Sequence, residues 1–194
     1  LVREVLRRSP RGVVLVDSPD FHLPLARRLR ASGYRGSIVN LVPPTVWAWR
    51  RGRVRTLRSC MTLCLPLFPF EHAFLTSQGC VSAFRGHPLL DEPSLAPSDR
   101  RDPPRRVALL PGSRPSEARR LGEVLGGVGR RLKELGMEPE FSLAPSLEAP
   151  DREFLRRAAE GLSLSEDPGP ELMRRADLVV GACGTAAVEA LLLR

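Results

Sequence analysis

The chain has 194 residues, 42% of them hydrophobic and 27% charged, the make-up of a globular protein with one large domain or two small ones. Its formal net charge is +8, carried almost wholly by arginine, since Lys133 is the only lysine. That excess favours anionic partners such as nucleotides, nucleic acid or an acidic membrane surface, although a genome's base composition also produces so complete an arginine bias. No secretory signal is present, and no stretch approaches the roughly 20 apolar residues that span a bilayer. The longest apolar run, 61–70, is broken by Pro66 and Pro69. Four cysteines (Cys60, Cys64, Cys80, Cys183) lack metal-site pairing, because no second Cys or His pair completes the couple at 60 and 64. They read as reduced cysteines of a cytoplasmic protein, and neither a metal nor a cofactor is expected. The chain opens on Leu1 rather than Met and stops at Arg194 inside an apolar helical pattern without a capping Gly or Pro. It reads as an internal piece of a longer protein.

In chain order, residues 13–16 form a continuous apolar run and read as a buried parallel strand. Asp17 ends it, and Ser18-Pro19-Asp20 turn the chain into a helix over 21–31. That helix has Phe21, Leu25, Ala26 and Leu29 on one face, and Gly33 closes it. Further strands are predicted at 37–42, 61–67 and 80–84, with a short helix from Phe68-Pro69-Phe70-Glu71 to about Ser77. The alternation argues for an open parallel sheet with helices on its faces. Ligands of such sheets lie beyond the carboxyl ends of the strands. Asp17 stands at one such end, as a base for a hydroxyl nucleophile or as a turn residue. Asp20, just before the helix, fits an N-cap as well as a chemical role. Trp47 and Trp49, beside Arg50, Arg51 and Arg53, read either as a membrane-interface or lipid-pocket element or as packing under a basic helix. His22 reads as a helix-surface residue, and His72 and His87 as structural.

Residues 92–104 carry four prolines and little apolar character, and read as an interdomain linker between domains at 1–91 and 105–194. The alternation restarts with the apolar run 107–110, followed by Pro111-Gly112-Ser113, Arg114 and a helix from Pro115 to about Leu135. Gly126, Gly127 and Gly129 are expected to weaken or bend that helix. Then come strands near 140–143 and 162–164, helices near 151–160 and 170–175, and a strand at 177–180. The turn Gly181-Ala182-Cys183-Gly184 leads into a helix from Thr185. Open N–H groups and the dipole at a helix N-terminus favour an anion, and Arg114 adds a fork that grips two phosphate oxygens. Two such turns, at Gly112 and Gly184, suit a diphosphate if they are neighbours. Glu189 reads as a ribose ligand or as a first-turn carboxylate favoured by the dipole.

Asp17-Ser18-Pro19-Asp20-Phe21, Pro44-Thr45-Val46-Trp47-Ala48-Trp49-Arg50, Phe68-Pro69-Phe70-Glu71, Gly86-His87-Pro88-Leu89, Leu109-Leu110-Pro111-Gly112-Ser113-Arg114 and Gly184-Thr185-Ala186 with Glu189 together resemble the lipid-A-disaccharide synthases in order and spacing. The resemblance implies a GT-B-like α/β fold of two Rossmann-like domains, truncated here at both ends, and an inverting glycosyl transfer without metal. The implied donor is UDP-2,3-diacylglucosamine, and the acceptor 2,3-diacylglucosamine 1-phosphate. The products would be the β-1,6 disaccharide and UDP, made at the cytoplasmic face of the inner membrane by a peripherally bound enzyme. By motif, Asp17 matches the family's essential aspartate and Arg114 its essential arginine, the two facing each other across an interdomain cleft. Gly112, Ser113, Gly184 and Thr185 would cradle phosphate, and Glu189 would hold ribose. Asp20, Trp47, Trp49 and Arg50 would face acceptor or membrane.

Three positions depart from the family pattern: Cys183 for a usual serine, Pro43 for a common serine, and Arg51 for a frequent glutamine. The fragment alone is expected to be inactive, its parent active. The alternatives are another UDP-sugar enzyme, against which the tryptophan block argues, and a basic nucleic-acid-binding module. Against the latter, the arginines are scattered and no aromatic-interleaved basic patch is present; no nucleic-acid partner is expected.

Overall fold

The structure, a computed structural model, describes residues 1–92 and 104–193. The chain divides into two compact units, Leu1–Pro88 and Leu89–Arg194, each with its own parallel sheet. Except for Glu92 and Pro104, the linker expected at 92–104 lies outside the described residues.

The first unit runs α1 (Val2–Arg8), β1 (Gly12–Val16), α2 (Pro19–Ala31), β2 (Ser37–Leu41), α3 (Val54–Cys60), β3 (Leu63–Leu65) and α4 (Pro69–Ser77), with a 3-10 turn at Arg51–Arg53. The strands lie in the order β1-β2-β3, all parallel. Leu23, Ala26 and Leu29 recur every three residues and give α2 its buried stripe. They pack with Val54 and Leu57 of α3 against Leu15, Ile38 and Cys64 of the sheet.

Several expectations are corrected here. Within this chain β1 lies at the edge of its sheet rather than between two neighbours, so only Leu15 is buried, while Val14 is 61% and Val16 50% exposed. The third strand keeps three residues of the seven expected, since Pro66 has no N–H to extend the ladder. The strand expected at 80–84 shrinks to one bridge, Cys64 to Ser82, because so short a partner offers a single rung. For α3 the sequence predicts no bounds, only a basic helix beside the tryptophans; its buried Val54, Leu57 and Cys60 are spaced every three residues, as in α2.

The second unit runs β4 (Arg106–Leu110), α5 (Pro115–Glu134), β5 (Glu138–Ser142), α6 (Ala149–Ala158), β6 (Ser163–Ser165), α7 (Gly169–Arg175), β7 (Leu178–Gly181) and α8 (Thr185–Leu192). The strand order is β6-β5-β4-β7, all parallel. β4 is covered on both faces, which explains its unbroken apolar run. Val107 and Leu109 join a core with α5 and α6, whereas Ala108 and Leu110 join one with α7 and α8. β7 is an edge strand, and Leu178 and Val180 are exposed at 44% and 39%.

The glycines of α5 do not break it: the helix is continuous over 20 residues. They are sites of close approach. A Cβ on Gly126 would lie 2.0 Å from the carbonyl oxygen of Ala158, and one on Gly129 2.5 Å from Leu162. The backbone of α5 therefore sits directly on α6 and the strand behind it.

Candidate functional site

The expected phosphate residues meet in one place. β4 and β7 are hydrogen-bonded neighbours, with Leu110 opposite Gly181. From their carboxyl ends the chain leaves toward opposite faces, into α5 and into α8. That divergence is a topological switch point, where open α/β sheets hold their ligands. Gly112, Ser113, Arg114, Gly184, Thr185 and Glu189 all line a single cleft of about 440 Å³ at this point. Neither α5 nor α8 has a side-chain cap on its first N–H groups, so those donors stay available to an anion.

Local sequence explains the geometry. Gly112 has φ +110°, a conformation that disfavours side chains, and a Cβ there would lie 2.6 Å from the side chain of Glu117. Gly181 lets β7 approach β4, since its Cβ would stand 2.4 Å from the Leu110 carbonyl oxygen. The Arg114 side chain is 77% exposed at the cleft, with Nη1 donating to Glu117 Oε1 at 2.8 Å. Burial alone pushes the Glu189 carboxyl above its ordinary value. Cys183, at the usual serine position, is exposed and also lines the cleft. Sequence reasoning missed Glu117, Ser142, Ala144, Pro145, Ser146 and the start of α7 at Pro168, Gly169 and Pro170, which also line it. Only Glu117 left a signal, standing three residues after Arg114 in the first turn of a helix.

In the first unit Asp17 closes β1 with an exposed side chain, its N–H donating to Leu41 O at 2.9 Å. His22 Nδ1 contacts the Asp17 carbonyl oxygen at 2.8 Å. Asp17 (φ 50°), Ser18 (42°), Val42 (57°) and Arg50 (49°) all hold left-handed conformations without being glycine. Each costs about 1–3 kcal/mol, and such strain collects at functional sites. These four lie just past β1 and in the segment that follows β2.

Asp20 is not the N-cap. Ser18 holds that position without a side-chain bond, and Pro19 starts the helix, so the Asp20 carboxylate projects outward instead. It pairs with Arg50 at 3.0 Å and also with Arg53. The reading of the tryptophans as buried packing is corrected as well: Trp47 is 39% and Trp49 54% exposed. Trp47 Nε1 donates to Glu71 Oε1 at 3.2 Å, and its ring meets Phe70 edge-on at 5.1 Å. Phe68 stacks behind Phe70 at 5.7 Å. Trp49 Nε1 donates to Thr45 Oγ1 at 2.9 Å, with the Arg50 guanidinium 4.6 Å above its ring.

Cys60, Cys64 and Cys80 are free and buried, and burial pushes the Cys64 thiol up to about 12. That value leaves no thiolate for chemistry at neutral pH. Among the described residues no cluster of three or more His, Cys, Asp or Glu is placed to hold a metal. No helix among them is long and apolar enough to cross a membrane.

Two parallel α/β sheets, one with a cleft at its switch point lined by both strand–glycine–helix turns, define the architectural class. A family model described as lipid-A-disaccharide synthetase matches residues 1–194, and the chain belongs to that family. Its curated relatives include the lipid-A-disaccharide synthases of Pseudomonas paraeruginosa (37% identical over 208 residues), Myxococcus xanthus (35% over 209) and Alkalilimnicola ehrlichii (39% over 211). All of this chain is covered in each match, against 54%, 53% and 54% of those proteins. The chain thus spans about half the length of the curated relatives it matches. Among solved structures, a UDP-forming α,α-trehalose-phosphate synthase from Burkholderia xenovorans aligns at TM-score 0.43 and 14% identity. That alignment covers 98% of this chain and 53% of the other, a likeness too distant to argue from.

Proposed function

We propose that the whole protein is an inverting glycosyltransferase of lipid A synthesis. It moves 2,3-diacylglucosamine from UDP-2,3-diacylglucosamine to 2,3-diacylglucosamine 1-phosphate and releases UDP. The observation that carries this reading is the convergence of two strand–glycine–helix turns, Arg114 and Glu189 on one cleft, in a chain of this family. The turns at Gly112 and Gly184 offer N–H groups to the diphosphate, Ser113 and Thr185 add hydroxyl donors, and Glu189 accepts from ribose hydroxyls.

In the transfer step the Asp17 carboxylate takes the proton of the acceptor 6-hydroxyl as that oxygen attacks C1 of the donor sugar. The bond from C1 to the diphosphate oxygen breaks, and its electron pair stays on UDP. Arg114 neutralises the charge that develops there. No metal or cofactor is needed in this scheme, because the guanidinium and helix N-termini stabilise the leaving group. The exposed Trp47, Trp49 and Phe70, in a strongly basic chain, support peripheral contact with an anionic membrane, in keeping with a reading of the enzyme as peripherally bound at the cytoplasmic face of the inner membrane.

The test is UDP release by the whole protein in mixed micelles with both lipids. Release should require both, and fall by about 10²–10³-fold in Arg114→Ala and about 10²–10⁴-fold in Asp17→Asn. Release without acceptor, or full activity in both variants, would overturn the reading.

A further inference from the structure

Arg50 and Arg53, which flank and end the 3-10 turn Arg51–Arg53, converge on one carboxylate oxygen, Oδ1 of Asp20. Both guanidinium groups lie over the Trp49 ring, 4.6 Å and 5.7 Å from its centroid. That ring is itself fixed through Thr45. The exposures are inverted from those of an ordinary surface pair: the Arg53 side chain is only 15% exposed, while its partner Asp20 is 76% exposed. Arg50 reaches its position through a left-handed backbone that a surface arginine has no need to adopt.

Charge is unbalanced in this cluster. Two fixed cations share one carboxylate, and a planar guanidinium with five N–H donors has many more to give. Two forks on an aromatic plate, aimed at one exposed acidic oxygen, match the oxygens and double charge of a phosphate monoester. The monoester supplies the second negative charge that Asp20 lacks, so Asp20 holds the pair in register when the site is empty. A bilayer headgroup fits less well, because a phosphodiester carries one charge and Arg53 is too recessed to meet a flat surface.

We infer that Arg50 and Arg53 form a two-guanidinium site for a phosphate monoester, preset by Asp20 and Trp49. Resting on the proposed function, that monoester is the 1-phosphate of the acceptor sugar. Asp17 stands three residues before Asp20, roughly 11 Å of extended chain at most. That separation keeps Asp17 near a sugar anchored through its phosphate at the arginines.

The experiment uses the whole protein and two variants, Arg53→Lys, which keeps charge but loses the fork, and the half-exposed Arg50→Ala. Each should raise the acceptor KM about tenfold or more through the lost bidentate contact, with kcat and the donor KM within about twofold. Phosphate-free 2,3-diacylglucosamine, used as an inhibitor, should bind wild type and variants alike. An unchanged acceptor KM, or equal loss of the phosphate-free inhibitor, overturns the inference. Independently of turnover, tryptophan fluorescence titrated with glucosamine 1-phosphate should saturate in wild type and weaken in Arg53→Lys. Failure of that titration sinks the site even if transfer is confirmed, whereas success stands even if the transfer reaction is not. A third arm measures binding to phosphatidylcholine vesicles with and without phosphatidylglycerol. Arg53→Lys should bind them as wild type does; lost vesicle binding with normal acceptor KM would assign the arginines to a lipid headgroup and overturn the inference.

Discussion

Three charged side chains, Arg114, Glu117 and Glu189, line the cleft of the second unit. Arg114 is paired with Glu117, whose carboxylate lies over the Gly112 turn where a phosphate would approach. A negative group beside an anion site repels the ligand. Glu117→Gln should therefore tighten UDP binding several-fold, read by titration calorimetry on the whole protein; unchanged or weaker binding would make the pair merely structural. Glu189 answers to burial, which raises its carboxyl above the ordinary value. Between the ordinary and the raised value the folded chain holds more protons than the unfolded one, so stability falls as pH rises through that window. Glu189→Gln should remove that slope in denaturation series across pH. UDP binding should run the other way, weakening as pH falls through the raised value because a protonated carboxyl accepts poorly from ribose. Arg114, at the N-cap of α5, and Glu189, inside α8, were legible in the sequence from their spacing after the two glycine turns. The Glu117 pairing was not, because an acidic residue in a first helical turn has an ordinary explanation in the dipole.

At the scale of the element, α5 shows how one residue type serves opposite ends. Gly126 faces Ala158 with no room for a methyl group, whereas Gly127, its neighbour, has open space around its Cβ position. Gly126→Ala should cost about 1–3 kcal/mol through overpacking. Gly127→Ala should stabilise by about 0.5–1 kcal/mol through helix propensity. Urea denaturation of the two variants checks both signs, and a loss in both would mean that the helix tolerates no added methyl. Composition alone made these glycines look like weak points, because propensity carries no information about the surface opposite. The same limit explains β1, whose apolar run announces a strand but not which of its side chains a neighbour covers; within this chain Val14 and Val16 are exposed.

For the whole molecule, charge and exposed aromatics act together. A chain of net charge +8 that presents Trp47, Trp49 and Phe70 to solvent should bind anionic vesicles, and less so as salt screens the attraction. Phe70→Ser should lower vesicle co-sedimentation of the whole protein while leaving UDP binding in the second unit unchanged. If the variant sediments like wild type, these aromatics do not contact the bilayer.

The sequence by itself determined the class of fold, the two strand–glycine–helix turns and the family, because periodicity, glycine punctuation and ordered motifs are local properties of the chain. The tertiary structure alone decided that Gly112 and Gly184 open on one cleft, since strand order β6-β5-β4-β7 makes distant segments neighbours. It alone decided that Asp20 gathers Arg50 and Arg53 over Trp49, because residues thirty apart meet only when helix and loop pack together.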